Sequence, residues 1–305
     1  MKRMVIVYSP NSTRFSEVER KVIAKARKLK GWMICKFEVK EAPIQEDAAE
    51  LAKIIRKDDL VIAAGGDGTA TMAANAIMQS GKIATLAVMP FGNFNDFAET
   101  LGRMSFERIV RKFEESSYID YYPMEVRVDG EHYIYAFVYF MAGMMAEAAG
   151  VMKQPKIRKK LKRAKNRMSF SARKAFKWYL KNKWRKDLLP AGTKLNGEEF
   201  LARTTDYVAF NGNSMIGLLP GGVWYRTPKQ FWSGTMRNRS FWRMLAKFVK
   251  AMEGELPGGE REEDVLKFGK GAEVFVQVEG ENDCLKDVKE ILIKKNGKGL
   301  RVIKA

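Results

Sequence analysis

Val61-Ile62-Ala63-Ala64-Gly65-Gly66-Asp67-Gly68-Thr69 decides how this chain folds. Four apolar residues, as in a buried strand, lead through a glycine turn into a stretch with helical patterning. Three glycines let the backbone approach a polyphosphate closely, with N–H groups free to point at its oxygens. The start of the following helix adds a dipole that favours anions. Thr69 is expected to cap that helix and to donate to a phosphate. Asp67 is unfavourable beside phosphates unless a cation or a positioning role compensates, so Mg²⁺ is expected nearby.

Outward from this loop, residues 4–8, 33–39, 59–64 and 82–89 read as strands, and 15–29, 46–57 and 70–79 as helices. Strands separated by helices predict a parallel sheet covered on both faces. In such sheets ligands bind beyond the C-terminal ends of the strands. Two further polar loops fall on that edge. One is Ser9-Pro10-Asn11-Ser12-Thr13. The other is Pro90-Phe91-Gly92-Asn93-Phe94-Asn95-Asp96, in which Asn95 offers amide donors and Asp96 a helix cap. The predicted nucleotide-binding residues are therefore Ser9, Asn11, Ser12, Gly65, Gly66, Asp67, Gly68, Thr69, Gly92, Asn93, Asn95 and Asp96.

Composition narrows the chemistry. The chain has 305 residues, 46% of them hydrophobic, enough for one large domain or two ordinary ones. Its net charge of +19 favours polyanionic partners: nucleic acid, anionic lipid or phosphorylated substrates. One histidine, His132, argues against His-rich zinc sites and Ser-His or Cys-His pairs, so a catalytic base is expected to be a carboxylate. Cys35 and Cys284 share no metal-type spacing, no stretch reaches the ~18 apolar residues of a bilayer span, and the N-terminal apolar run is too short for a signal peptide. An intracellular location is expected.

After residue 122 the texture changes to strands without intervening helices: 125–128, 132–140, 207–211, 272–278, 290–294 and 300–303. Asp129-Gly130 and Asn296-Gly297 read as hairpin turns between them. The expected fold class is an α/β nucleotide-binding domain with a parallel sheet, residues 1–122, plus a mostly antiparallel β-sandwich domain, residues 123–292. The tail, about 293–305, is expected to return to the first domain. Residues 153–186 interrupt the second domain with 16 Lys or Arg and no acid, interleaved with aromatics. This basic helical insertion suits an anionic membrane surface. A solvated helical face is the plain alternative, and nucleic acid is the least favoured partner. A homodimer stays open.

These loops resemble the diacylglycerol kinase catalytic-domain family, which includes sphingosine and ceramide kinases and is distantly related to NAD kinases and phosphofructokinases. Gly65-Gly66-Asp67-Gly68-Thr69 matches the superfamily hallmark, and residues 90–98 the family's proline–glycine–threonine–x–asparagine–aspartate element. Residues 206–212 look like a family strand ending in Asn-Gly, and Glu279-Gly280-Glu281 like a late Asp-Gly-Glu triplet. The resemblance implies an active site in the interdomain cleft, ATP and Mg²⁺ as cofactors, and a lipid substrate such as diacylglycerol. It also implies Glu281 as the proton acceptor, with Glu279 and Asp67 as further catalytic carboxylates, in a cytoplasmic enzyme peripherally associated with membranes. Three positions depart from the pattern. Asn93 replaces threonine, Glu279 replaces aspartate, and no acid lies between Pro220 and Glu253, where the family carries a metal-linked Asp-Gly. An NAD kinase or other soluble-metabolite kinase, and an inactive nucleotide- or membrane-binding regulator, are the alternatives.

Overall fold

In the computed structural model the described residues are 1–10, 12, 14–40, 43–92, 95–153, 156–157, 174, 177, 189–190, 192–200, 204–212, 214–215, 219–220, 226–237 and 258–305. Strands β1 (Lys2–Tyr8), β2 (Trp32–Glu38), β3 (Leu60–Gly65) and β4 (Thr85–Pro90) pair in parallel in the order β2-β1-β3-β4. Alternate residues of the central strands enter opposite clusters: Val5, Val7, Val61 and Ala63 one, Met4, Ile6, Leu60 and Ile62 the other. Burial on both faces is why these strands read as unbroken apolar runs.

Among the described residues five helices cover the sheet. The first, α1, is continuous from α-helical Phe15–Val18 through a π-helical turn, Glu19–Ile23, to Ala24–Ala26. The others are α2 (Ile44–Ile54), α3 (Asp67–Ser80), α4 (Asp96–Leu101) and α5 (Phe106–Glu114). Helix α3 is buried along most of its length, and Ala70, Ala73, Ala74 and Ala76 keep its surface slim. It shares a cluster with Val7 and Val61 of the parallel sheet and with Phe137, Met141, Val208 and Phe210 of the second lobe. One helix thus packs against both halves of the molecule.

Among the described residues the second lobe holds two six-stranded antiparallel sheets and a short two-stranded one, Ser214–Met215 with Leu219–Pro220. One contains Met124–Val128, Glu131–Ala136, Glu263–Lys267 and Glu290–Lys295. The other is centred on Tyr139–Gly143, Thr204–Phe210, Phe231–Arg237 and the hairpin of Glu273–Val278 with Glu281–Lys286. Val126, Ile134 and Ile293 of the first pack on Phe140, Tyr207, Val274 and Val276 of the second, as in a sandwich.

Two expectations are corrected. The run 132–140 is not one strand. It breaks at Phe137–Val138, and its halves join different sheets, because both backbone N–H groups at the break donate to the carboxylate of Glu279. Asn296-Gly297 does not close a hairpin either. Residues Glu290–Lys295 stay in the sandwich, while Leu300–Val302 pairs in parallel with β4 and antiparallel with Ile119–Tyr121. The turn is therefore the return crossing, held beside the outgoing one by the Asn296 N–H to Pro123 carbonyl bond, 3.0 Å.

Asn211 and Lys295 stitch the two crossings. The Asn211 side chain donates to the carbonyls of Tyr122 (2.9 Å) and Phe137 (2.8 Å) and accepts from Lys295 Nζ, which also donates to Tyr122 O (2.9 Å). Both side chains are buried, and burial lowers the Lys295 pKa to about 7. Asn211→Ala would remove three buried hydrogen bonds, worth about 0.5–1.5 kcal/mol each and more for the one from the charged Lys295. A loss of about 3 kcal/mol or more is expected from urea unfolding. A wild-type midpoint would show that the crossings hold without it.

Candidate active site

The glycine loop forms where β3 meets α3. Gly66 is the N-cap and Asp67, Gly68 and Thr69 form the first turn, so Thr69 lies within that turn and is not the cap. Its side chain sits against Gly65, where a Cβ would collide with Thr69 Oγ1. The second loop lies directly beside the first. Phe91 N–H donates to Gly65 O at 2.8 Å, and a Cβ on Gly92 would collide with the Gly66 backbone. Two polar loops thus meet glycine to glycine, which no larger residue at position 92 permits without moving backbone.

Asn95 and Asp67 fix this arrangement. Asn95 takes the left-handed conformation (φ 60°, ψ 41°) as N-cap of α4, while Asp96, expected as the cap, is in the first turn and buried. The Asn95 amide folds back on Gly92, accepting from its N–H at 2.8 Å and donating to its carbonyl at 3.1 Å. It therefore shapes the turn rather than standing free. Asp67 Oδ1 accepts from Phe97 N–H at 3.0 Å, tying the first loop to the start of α4. Burial, then the nearby charge of Asp96, pushes the Asp67 pKa up to about 7.

The first polar loop follows β1, with Ser12 N–H bonded to Ser9 O at 3.1 Å. Asn11 and Asn93 lie outside the described residues. Arg14, which the sequence reading passed over, closes this side. Its guanidinium pairs with both carboxylate oxygens of Glu17 (2.7 and 2.8 Å), reaches Pro90 O at 3.4 Å and lies over the Phe91 ring. A cation beside a phosphate loop is a signal that residue type alone carries.

The late triplet arrives from the other lobe. Glu279 and Gly280 both have positive φ (49° and 88°) and form the two-residue turn between Glu273–Val278 and Glu281–Lys286. Glu281 reaches the helix terminus: a Cβ on Gly68 would collide with its Oε1. Glu279 does the opposite. It is fully buried, accepts a hydrogen bond from the Thr71 hydroxyl on Oε2, and accepts from the N–H groups of Phe137 and Val138 on Oε1. Burial outweighs these bonds and raises its pKa to about 8. Expected as a reacting carboxylate, Glu279 is instead a brace between the lobes. Thr71, its partner on α3, was also missed; a buried threonine one turn after Asp67 was the available signal.

Residues 3–120 match the diacylglycerol kinase catalytic domain. Over those residues this chain is similar to the diacylglycerol kinase catalytic-domain family. A diacylglycerol kinase of Bacillus subtilis (strain 168) is 37% identical over 111 residues, 33% of this chain and 34% of that protein. The match thus spans about a third of the relative's length. The crystal structure of a diacylglycerol kinase from Bacillus anthracis str. Sterne superposes with a TM-score of 0.67 at 15% identity, covering all of this chain and 97% of that one. That likeness extends the shared fold over both lobes.

Two outcomes follow. Gly92→Ala is expected to weaken nucleotide binding at least tenfold by calorimetry, since the collision is with backbone; wild-type affinity would remove the loop contact from the site. Glu279 is raised from 4.5 to about 8, so the folded state holds its proton where the unfolded chain releases it. Stability from this group is present below pH 4.5 and declines as pH rises toward 8. Glu279→Gln preserves the shape without the titration. Its thermal midpoint should gain on wild type as pH rises from 4.5 to 8, and parallel pH curves would contradict the assignment.

Proposed function

We propose that the protein is a lipid kinase, passing the γ-phosphoryl group of ATP to the hydroxyl of a diacylglycerol-like acceptor. The observation that carries this reading is the carboxylate of Glu281, delivered from the sandwich lobe onto Gly68 at the start of α3. Phosphoryl transfer needs little covalent help from a protein. It needs positioning, charge neutralisation and a group to take the hydroxyl proton. Backbone N–H groups of the first turn of α3 would receive phosphate oxygens, aided by the helix dipole. Glu281 would accept the acceptor's proton as the new P–O bond forms.

The residues suit Mg²⁺. Asp67 and Asp96 are close enough for one carboxylate to raise the pKa of the other, a like-charge opposition that a divalent cation relieves. Mg²⁺ is usually held by one or two carboxylates together with substrate phosphates. Asp67 would hold it here, and bound Mg²⁺ supplies charge neutralisation on the group in transfer.

Among the described residues no helix is long and apolar enough to cross a membrane. Contact with lipid would then be peripheral, through the basic insertion 153–186, which lies almost wholly outside the described residues. Anionic surfaces attract such a segment at about 1 kcal/mol per basic residue.

The test is transfer of labelled γ-phosphate from ATP with Mg²⁺ to diacylglycerol in mixed micelles, against NAD as a soluble acceptor. Labelled lipid is expected, and in Glu281→Gln kcat should fall roughly 10²–10⁴-fold with ATP affinity kept. Label on NAD alone would replace the lipid reading by a soluble-metabolite kinase. Full turnover by the variant would remove Glu281 as the base.

A further inference from the structure

The parallel sheet has a second edge. Strands β1 and β3 end at the phosphate loops and begin at the opposite side of the sheet, at Lys2 and Leu60. A cavity of about 510 Å³ opens there, between the starts of β1 and β2, the turn 56–59 that follows α2, and the end of α5. Small-molecule sites have volumes of about 300–1,000 Å³. The phosphate site makes no use of this one.

Most of its charged lining is committed. Asp59 is 1% exposed and accepts from Arg3 Nη1 at 2.5 Å and from Arg56 N–H at 2.7 Å. Arg3 Nη2 donates to Ile54 O at 2.9 Å, and its Nε reaches Cys35 Sγ at 3.4 Å. Three of the five guanidinium N–H groups are thus used, which fixes the Arg3 head and leaves two unclaimed. Lys2 Nζ is held by Glu114 at 2.8 Å. Arg56 and Lys57 differ. Both are exposed, and among the described residues neither side chain makes a hydrogen bond or ion pair. Against these two cations the cavity sets one uncommitted acid, the exposed Asp58.

Cations gather at such an edge to satisfy the last carbonyls of helices. Arg3 does so at Ile54, and Lys82 Nζ does so at Ile55 O, 2.6 Å. Arg56 and Lys57 serve no carbonyl, so capping does not account for them. The charge of Arg56 nevertheless acts on the same Asp59 carboxylate that Arg3 holds, which places the two guanidinium groups side by side. Guanidinium forks match phosphate oxygens in geometry and charge. The rest of the cavity is apolar. Among the described residues five large apolar side chains are exposed, and two of them, Met1 and Met33, line it. The half-buried Phe113 ring, tilted against Trp32 at 5.7 Å, completes that side.

We propose that this cavity binds a phosphomonoester with an apolar body. Arg56, Lys57 and the unclaimed N–H groups of Arg3 hold the phosphate, and Met33 and Phe113 receive the apolar part. The glycine loop lies at the other end of the strands, so the ligand here is a second one and not the nucleotide. A soluble alkyl phosphate and a phosphorylated lipid in a bilayer both carry this chemistry. The inference goes beyond the lipid-kinase reading and does not depend on it.

The experiment is a calorimetric titration without nucleotide. The probes are octyl phosphate below its micelle-forming concentration, inorganic phosphate, and octyl glucoside as a neutral amphiphile. Octyl phosphate is expected to bind one-to-one, at least tenfold tighter than inorganic phosphate, and octyl glucoside not at all. The double variant Arg56→Ala, Lys57→Ala should bind octyl phosphate at least tenfold more weakly, with an unchanged thermal midpoint and unchanged ATP affinity. No saturable binding of octyl phosphate, or equal binding by the double variant, overturns the site. Inorganic phosphate bound as tightly as octyl phosphate overturns the apolar half of the assignment. Flotation with neutral vesicles carrying a phosphomonoester lipid then separates the sources. Flotation that the double variant loses identifies a bilayer lipid, and calorimetric binding without flotation identifies a soluble ligand; both support the site. A failed transfer assay would remove the kinase reading and leave this binding unchanged, because neither nucleotide nor acceptor takes part in it.

Discussion

A single buried carboxylate ties the two lobes. Glu279 sits at the tip of a hairpin in the sandwich, yet it bonds to Thr71 on the helix that follows the glycine loop. Its other oxygen holds the N–H groups of Phe137 and Val138 at the point where one strand run divides between two sheets. The bonds made by this side chain thus fix helix, strand break and hairpin relative to one another. Nothing accessible to solvent competes for them, because the residue is fully buried.

That brace accounts for the contrast within the triplet. Glu279 and Glu281 are two residues apart and chemically alike, but one is sealed in and the other is carried onto the helix terminus at Gly68. Burial drives the first toward its neutral form and suits it to holding shape. The second lies against the first turn of α3, where the proposed reaction needs a proton acceptor. Gly280 with positive φ lets the chain reverse between them, so the separation of roles follows from a two-residue turn. The glycine contact between residues 66 and 92 performs a comparable service on the other side, setting the two loops backbone against backbone.

Much of this was legible in local sequence. The strand–glycine–helix pattern gave the parallel sheet and the edge where ligands bind, since both follow from short-range periodicity and backbone freedom. What escaped depended on long-range partners. Residues 132–140 carry uniform β character, and only a carboxylate about 140 positions away explains the break. Asn296-Gly297 has good hairpin chemistry, but the pairing of Leu300–Val302 with β4 makes it a crossing. Asp96 looked like a cap because its residue type suits one, while Asn95 took the position by adopting a left-handed backbone and bonding to Gly92.

The most direct test of the account is a comparison of Glu279→Asp with Glu279→Gln in phosphoryl transfer, with kcat and the KM for ATP measured separately. Shortening the side chain by one methylene should pull the brace from Thr71 or from the Phe137–Val138 break, whereas glutamine keeps its length. The account predicts that Glu279→Asp loses at least tenfold in kcat at a near-constant KM for ATP, while Glu279→Gln stays close to wild type. An active aspartate variant beside an inactive glutamine variant would contradict it, because the carboxylate itself would then be taking part in the reaction.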